Sequence, residues 1–232
     1  MNAPTIVAFD ADDTLWHNER FFRLTQDRFT RLLGDHAEAE HLHEALLAAE
    51  RRNLGRYGFG VKGFTLSMIE TAIEVTEARV PARVIGEILA AGQEMLDHPI
   101  ELLPQAREAI EALAGDHAIL LITKGDLLDQ ERKLAQSGLG DLFDGVEIVS
   151  DKTPAVYAEI FARHGHAAEA ALMVGNSLRS DVVPVLAIGG WGVHVPHELT
   201  WAVEEADLPD RHSRFRAIDD LGALAPLVAS LS

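Results

Sequence analysis

Four short polar segments of this chain contain residue types that could perform chemistry together. They are Asp10-Ala-Asp12-Asp13-Thr14 after the apolar run Thr5–Phe9, Thr123-Lys124 after His117–Ile122, Lys152 after Val146–Val149, and Gly175–Asp181 after Ala171–Val174. Carboxylate and amide oxygens are the ligands that Mg²⁺ prefers in proteins. Hydroxyl and ammonium groups donate hydrogen bonds to phosphoryl oxygens. The four segments together predict a site that holds a divalent cation and a phosphate.

The spacing of Asp10 and Asp12 favours acid–base chemistry. In extended backbone, residues two apart point the same way, so both carboxylates are expected to face one small volume. A like charge raises the pKa of one carboxyl, and a bound metal ion lowers the pKa of the other. One carboxylate then stays ionised as a nucleophile, while its neighbour carries a proton for the leaving group. Asp13 is expected to serve the turn.

The elements that must position these residues follow a strand–helix alternation from residue 104 onward. The four apolar runs, with Trp191–Val195 and Phe215–Ile218, predict six strands. Helices of about a dozen residues between them predict an α/β fold, a Rossmann-like parallel sheet with helices on both faces. Ligands bind at the carboxyl ends of such strands. Within this pattern Asp126 caps a helix 127–137, Thr153 caps the next one, and Lys133 is expected to be a solvated mid-helix lysine.

Residues 17–98 read differently, as four helices without strands. They hold 10 of the 20 basic residues and 13 acids, so this stretch is nearly neutral in an acidic chain. We therefore expect two domains: a core of 1–16 with 99–232, and a helical domain of 17–98. Four glycines between Gly55 and Gly63 predict a loop. Its Tyr57 and Lys62 are candidate substrate contacts, because a flexible loop with aromatic and cationic side chains can close over a leaving group.

Composition excludes several classes of protein. The 232 residues contain no cysteine, which removes disulfides, thiolate zinc sites and cysteine nucleophiles. The formal net charge of −17 argues against nucleic acid or an anionic membrane as a partner. The most apolar stretch, Val182–Val195, has 14 residues, which is too short to span a bilayer. With no basic segment preceding the first apolar run, we expect no signal peptide and a cytoplasmic location.

The four segments, taken in order, resemble the motifs of the haloacid dehalogenase-like hydrolases. Asp10–Thr14 resembles the first motif (DxDxT), Thr123 the second, Lys152 the third and Gly175–Asp181 the fourth, usually GDxxxxD. The helical stretch 17–98 occupies the place of that family's cap domain, between the first and second motifs. The likeness covers residues 1–16 and about 99–190.

The resemblance implies roles for individual residues. Asp10 would be the nucleophile that forms an aspartyl-phosphate, and Asp12 the general acid/base, with its backbone carbonyl on Mg²⁺. Phosphoryl oxygens would be held by Thr123 and Lys152. Apart from the resemblance, Lys124 could offer its side chain to substrate, but we expect its backbone N–H to bind the phosphate. Dehalogenases of the family lack an acid at the place of Asp12, so the resemblance favours the phosphatase branch.

One position departs from the family pattern. Residue 176 is asparagine where the family usually has a metal-binding aspartate, and an amide ligand brings one less negative charge to Mg²⁺. Asp181 either takes over as a direct metal ligand or holds a metal-bound water, and the sequence leaves both open. Arg179 is read either as a substrate contact or as part of a salt bridge. The segment 196–210 has no assignment.

The sequence thus predicts a Mg²⁺-dependent phosphatase that acts on a small phosphorylated metabolite. The identity of the metabolite and the oligomeric state of the protein stay open. Three alternatives keep the same core: a catalytically silent protein that binds a phosphorylated ligand or partner, a phosphotransferase, and phosphonate cleavage with Lys62. A phospho-aspartate receiver fits less well. Its acceptor aspartate would follow the acid pair by roughly 45 residues, where this chain has helix and glycines around Tyr57.

Overall fold

The computed structural model describes residues 3–231, which form two compact units. One unit contains the residues up to Glu19 and those from Ile100 onward, and the other contains Arg20–Pro99. None of the helices within residues 3–231 has the length and apolar character needed to cross a membrane.

The first unit is built on one six-stranded sheet. Its strands are β1 (Ile6–Phe9), β2 (Ala118–Lys124), β3 (Gly145–Val149), β4 (Ala171–Gly175), β5 (Trp191–His194) and β6 (Phe215–Ala217). They pair in the order β3-β2-β1-β4-β5-β6, and every pair is parallel. The predicted parallel α/β sheet is confirmed. Parallel strands place all their carboxyl ends at one edge, which is where the four polar segments begin.

The helices are numbered along the chain. They are α1 (Glu19–Leu33), α2 (Ala39–Tyr57), α3 (Val61–Val75), α4 (Ala82–Asp97), α5 (Ala106–Glu111), α6 (Leu127–Ser137), α7 (Pro154–Arg163), α8 (Val183–Ala187) and α9 (Leu224–Ser230). A π-helical turn, Leu178–Val182, precedes α8. The helical segment after β4 therefore starts at Leu178, with a turn wider than that of an α-helix.

Both faces of the sheet are buried, as the alternation of side chains in β1 shows. Val7 and Phe9 pack on one face with residues of α5 and α9. Ile6 and Ala8 pack on the other face with residues of α7 and α8. A central strand buried on both sides is a continuous apolar run, and this is why β1 ends where the first charged residue, Asp10, begins.

Two helix starts follow the predicted capping chemistry. The side chain of Asp126 accepts a hydrogen bond from the backbone N–H of Asp129 at 3.1 Å, and α6 ends at Gly138 with φ of 67°. Thr153 accepts from the N–H of Val156 at 3.3 Å and starts α7. Both helices begin at the carboxyl edge of the sheet, so their first turns lie beside the polar segments.

The second unit is a helical bundle with its own apolar core. Phe29 and Leu33 of α1 pack with buried residues of α2, α3 and α4. The prediction of a loop from Gly55 to Gly63 is wrong. Helix α2 continues to Tyr57 and α3 starts at Val61, so only residues 58–60 lie outside the helices.

The glycines of this connection explain the difference. Gly58 and Gly60 have positive φ (71° and 106°), which allows a tight turn between the helices. Gly63 lies inside α3, where a Cβ atom would come within 2.8 Å of the carbonyl oxygen of Gly58. Gly55 lies inside α2 with no atom within 4 Å of a Cβ position. Two of the four glycines thus lie within helices rather than in a loop.

We predict opposite effects for two alanine substitutions in this unit. Gly55→Ala should stabilise the protein by roughly 0.5–1 kcal/mol, because alanine loses less backbone entropy in a helix. Gly63→Ala should destabilise it by roughly 1–3 kcal/mol, because backbone atoms must move to accept the methyl group. Thermal unfolding followed by circular dichroism should separate the two, at about 2–4 °C per kcal/mol for a chain of this size. Equal shifts would contradict the close approach at Gly63.

Candidate active site

The strand order brings the four polar segments to one edge of the sheet. Strand β1 lies between β2 and β4, and β3 lies beyond β2. The backbone N–H of Asp10 still donates to the carbonyl of Val174 on β4, at 2.9 Å. Thr123 and Lys124 end β2, Lys152 follows β3 and Asn176 follows β4.

The ammonium group of Lys152 lies between two carboxylates. Its Nζ donates a hydrogen bond to Oδ1 of Asp10 and another to Oδ1 of Asp181, the latter at 2.7 Å. All three side chains are buried, with relative exposures of 4% for Lys152, 7% for Asp10 and 1% for Asp181. Burying charges is costly unless they are paired, and here two negative charges share one positive charge.

The electrostatics of this cluster follow from that imbalance. Burial, together with the charge of Asp181, raises the pKa of Asp10 to about 7, because Lys152 offsets only part of these two effects. Burial alone would lower the pKa of Lys152, but Asp10 and Asp181 together hold it well above its usual value. Lys152 therefore stays a cation, and Asp10 is the group with an uncompensated charge.

Thr14 connects Asp10 with Asn176. Its Oγ1 lies 3.0 Å from Oδ2 of Asp10 and 3.2 Å from Oδ1 of Asn176, and it accepts from the backbone N–H of Asn176 at 3.1 Å. One hydroxyl hydrogen serves one acceptor at a time, so the Thr14 hydroxyl is shared between Asp10 and the amide of Asn176.

The fourth segment holds Asp181 through its own backbone. Oδ2 of Asp181 accepts from the N–H of Ser177 at 3.0 Å. Gly175 allows this approach, because a Cβ atom there would lie 2.2 Å from the same oxygen. The hydroxyl of the buried Tyr157 donates to the carbonyl of Ser180 at 3.0 Å and so stabilises the π-helical turn.

Asp12 has a separate set of partners. Its Oδ1 accepts from Nε1 of Trp16 at 2.7 Å, and its Oδ2 accepts from Nε2 of Gln130 at 2.9 Å. Nζ of Lys133 lies 2.9 Å and 3.0 Å from the two oxygens. The expectation that Lys133 is solvated is wrong, since its exposure is 8%. Asp12 and Asp10 accept from different donors, so the two carboxylates lie in different surroundings.

A turn follows directly after Asp12. Asp13 adopts φ of 59° in this turn. Its carboxylate accepts from the backbone N–H groups of Asn18 and Glu19 at 2.8–3.1 Å, at the start of α1. The turn role expected for Asp13 is confirmed. Burial raises the pKa of Asp13 to about 6, although these N–H groups lower it.

Glu204 is a site neighbour that the sequence did not indicate. It comes from the unassigned segment 196–210, and its carboxylate accepts from Nζ of Lys124 at 2.5 Å. It also accepts from the hydroxyls of Ser177 and Ser180 at 2.6 Å and 2.5 Å. Burial would raise the pKa of Glu204, but Lys124 and the two serines hold it below its usual value. The side chain of Lys124 is thereby engaged with protein groups.

The remaining predicted residues have varied positions. Thr123 is buried at the end of β2. Arg179 donates to the carbonyl of Val203 at 2.7 Å, so its guanidinium anchors the segment that carries Glu204. Tyr57 (47% exposed) and Lys62 lie in the helical unit, at the end of α2 and in the first turn of α3. Their role as substrate contacts stays a prediction.

A profile of the haloacid dehalogenase-like hydrolases matches residues 4–189. The chain belongs to this family of hydrolases. Its four motif segments are those that the sheet brings to one edge. Comparison with curated proteins finds no match.

Solved structures agree with the assignment to the haloacid dehalogenase-like hydrolases. A family hydrolase from Xanthomonas campestris is 46% identical, covers 99% of this chain and 92% of its own, and superposes with a TM-score of 0.88. A 2-haloacid dehalogenase from Pseudomonas syringae is 20% identical over 99% of this chain and all of its own, with a TM-score of 0.62. A predicted phosphoglycolate phosphatase from Haemophilus somnus is 17% identical over 98% of this chain and 99% of its own, with a TM-score of 0.66. The last two likenesses show the shared fold alone.

The donor set of this haloacid dehalogenase-like hydrolase fits a hard divalent cation. Lys152 contacts the carboxylate oxygens of Asp10 and Asp181, and Thr14 links Asp10 to the amide oxygen of Asn176. Within residues 3–231 no cluster of three or more His, Cys, Asp or Glu side chains has metal-binding geometry. Amide and backbone carbonyl oxygens are further groups that could ligate such a cation, as is common for Mg²⁺. The raised pKa of Asp10 marks the negative charge that a cation would offset.

We predict a pH-dependent stabilisation by Asp10→Asn in metal-free protein. The pKa of Asp10 rises from 3.8 to about 7 on folding, so the wild type loses stability as the pH rises through that window. Asparagine does not titrate and leaves Lys152 paired with Asp181. The melting temperature of Asp10→Asn relative to wild type should therefore increase between pH 5 and pH 8, measured by calorimetry with EDTA. The exposed control Asp141→Asn should show no such trend, and a pH-independent difference for Asp10→Asn would contradict the shift.

Proposed function

We propose that this hydrolase is a Mg²⁺-dependent phosphatase that cleaves a small phosphomonoester through an aspartyl-phosphate on Asp10. The observation that carries the proposal is Asp12, a second carboxylate two residues further on, held by donors of its own. An alkoxide leaves a phosphate ester readily only when it receives a proton, whereas a halide ion leaves without one. The second acid therefore supports ester cleavage over dehalogenation.

In the first step, a carboxylate oxygen of Asp10 attacks phosphorus and forms a new P–O bond. The bond between phosphorus and the ester oxygen breaks, and the proton of Asp12 passes to that oxygen, which leaves as an alcohol. Lys152, Thr123 and the backbone N–H of Lys124 are the groups expected to hold the phosphoryl oxygens. Because these groups have fixed positions at the sheet edge, they would stabilise the negative charge that develops on the phosphoryl oxygens without having to reorient.

In the second step, water attacks the phosphorus of the aspartyl-phosphate. Asp12, now ionised, takes a proton from this water, and the bond between phosphorus and the Asp10 oxygen breaks. The products are inorganic phosphate and the original carboxylate of Asp10. One residue thus serves as acid and then as base, which returns both aspartates to their starting states.

Mg²⁺ would be held by Asp10, Asp181, Asn176 and the backbone carbonyl of Asp12. When bound, it supplies positive charge that offsets the two buried carboxylates and the phosphate. The structure pairs Asp181 with Lys152 and with the N–H of Ser177, and the shared ammonium group of Lys152 keeps the side chains of Asp181 and Asp10 close together.

The deciding experiment compares two products. Purified protein is incubated with a panel of sugar phosphates, nucleotides and short organophosphates, with Mg²⁺ or with EDTA, and inorganic phosphate is measured. In parallel, chloride release from 2-chloropropionate is measured. Phosphate release that requires Mg²⁺ supports the proposal. Chloride release alone would make the protein a dehalogenase, and phosphate transfer to an added alcohol in place of water would make it a phosphotransferase.

We predict distinct losses for the two aspartates. Asp10→Asn should abolish turnover while the fold survives, since the nucleophile is lost and the shape is kept. Asp12→Asn should lower kcat by about 10²–10⁴-fold for alkyl phosphates, the usual scale of general acid–base catalysis. The loss should be much smaller for p-nitrophenyl phosphate, whose leaving group needs less protonation. An equal loss with every leaving group would assign Asp12 to metal binding or to structure.

We also predict that Asn176→Asp tightens Mg²⁺. The amide contributes an oxygen without charge, so a carboxylate at this place strengthens the field at the ion. The half-saturating Mg²⁺ concentration for turnover should fall, and Asp181→Asn should raise it. The two effects should be non-additive in the double variant, because both residues act on one ion. An unchanged Mg²⁺ requirement in Asn176→Asp would show that residue 176 does not ligate the metal.

A further inference from the structure

Three donors from distant parts of the sequence surround the carboxylate of Asp12. Trp16 donates to Oδ1 and Gln130 to Oδ2, while Lys133 reaches both oxygens. The side chain of Asp12 keeps an exposure of 23%, whereas that of Lys133 is 10% exposed. Both oxygens are thus held from the protein side, and one side of the carboxylate remains open to solvent.

The ammonium group of Lys133 is surrounded by further protein groups. Besides Asp12, its Nζ donates to Oδ1 of Asn18 at 2.8 Å, and Asp129 lies 3.9 Å away. A lysine in the middle of a helix normally extends its amine into water, and burying it is costly without a partner. Here the partner is the acid expected to transfer the proton.

Gln130 lies one turn before Lys133 on the same face of α6. Its Nε2 also donates to the carbonyl of Lys124 at 3.2 Å, so it links Asp12 to the end of β2. Gly125 leaves room for this side chain, because a Cβ there would come within 3.0 Å of Nε2. Trp16 is fully buried and gives the third fixed donor. The rotamer of Asp12 is therefore set by rigid groups on three sides.

The geometry points to Lys133, assisted by Gln130 and Trp16, as the positioning residue for Asp12. Lys133 orients the carboxylate that gives and takes the proton and does not itself contact the phosphate. The catalytic part of this inference rests on the proposed phosphatase function. The competing interpretation is that the Lys133–Asp12 pair only fastens α6 to the turn after β1.

A double-mutant cycle separates the two interpretations. Lys133→Met removes the donor and keeps the length of the side chain. If Lys133 acts through Asp12, this variant should lower kcat for an alkyl phosphate by about 10- to 100-fold, as expected for a misplaced catalytic group. Its KM should stay within about twofold, and the loss should shrink for p-nitrophenyl phosphate. In the Asp12→Asn background, Lys133→Met should cause no further loss.

The matched control is Glu131→Gln, an exposed residue of the same helix, which should behave as wild type. Circular dichroism checks that each variant is folded, and Gln130→Met takes the place of Lys133→Met in the cycle if the latter does not fold. Wild-type kcat in the folded variant would overturn the inference. So would a loss that is equally large in the Asp12→Asn background.

A structural readout keeps this inference separate from the proposed function. Crystal structures of wild type and Lys133→Met show the Asp12 side-chain torsion directly, whatever the protein hydrolyses. A changed Asp12 rotamer with intact α6 supports positioning, and an unchanged rotamer overturns it. If the wild type releases no phosphate from any ester, the phosphatase proposal fails, and the rotamer comparison still decides the role of Lys133.

Discussion

The buried contact of Lys152 with Asp10 and Asp181 is the interaction on which the site depends. Its three members follow three different strands, so the contact exists only when β3, β1 and β4 end at the same edge. Removing Lys152 from this cluster would be strongly destabilising, because the two buried carboxylates would then lack a compensating positive charge. The charges of the site are therefore balanced only when the strands are in the correct order.

The two acids of the first motif differ in their surroundings. Asp10 lies in a dry, negatively charged place beside Asp181, and its pKa rises to about 7. Asp12 lies among Trp16, Gln130 and Lys133, with part of its side chain open to water. A catalyst that uses two like groups for unlike tasks must give them different environments, and here the two carboxylates accept from different donors.

Much of this arrangement could be predicted from local pattern. Apolar runs that stop at polar residues predict buried strands, and Asp126 and Thr153 predict helix starts, because both signals act over a few residues. The role of Lys133 could not be predicted, since it depends on how α6 lies against the turn after β1, and isolated mid-helix lysines are usually solvated. The signal in the sequence was that Lys133 follows Gln130 by three residues, which places the two side chains on the same face of α6.

Other features were missed for different physical reasons. Glu204 comes from a segment without periodicity, and its contacts with Lys124 and Ser177 exist only in the folded chain. Glycine disfavours helices, so the glycines at 55 and 63 predict a loop. Tertiary packing overrides that preference at Gly63, where the carbonyl of Gly58 in the turn before α3 lies too close for a side chain.

The central position of β1 also constrains how the chain reaches this state. Ile6 pairs with Ala118 on one side and with Ala171 on the other, so β1 waits for partners that are synthesised much later. Such long-range parallel pairing is intrinsically slow. During translation β1 has two unpaired edges until β2 has left the ribosome and one until β4 has, whereas the contacts of the helical unit are local. Any dependence of this protein on chaperones should therefore arise from β1 rather than from the helical unit.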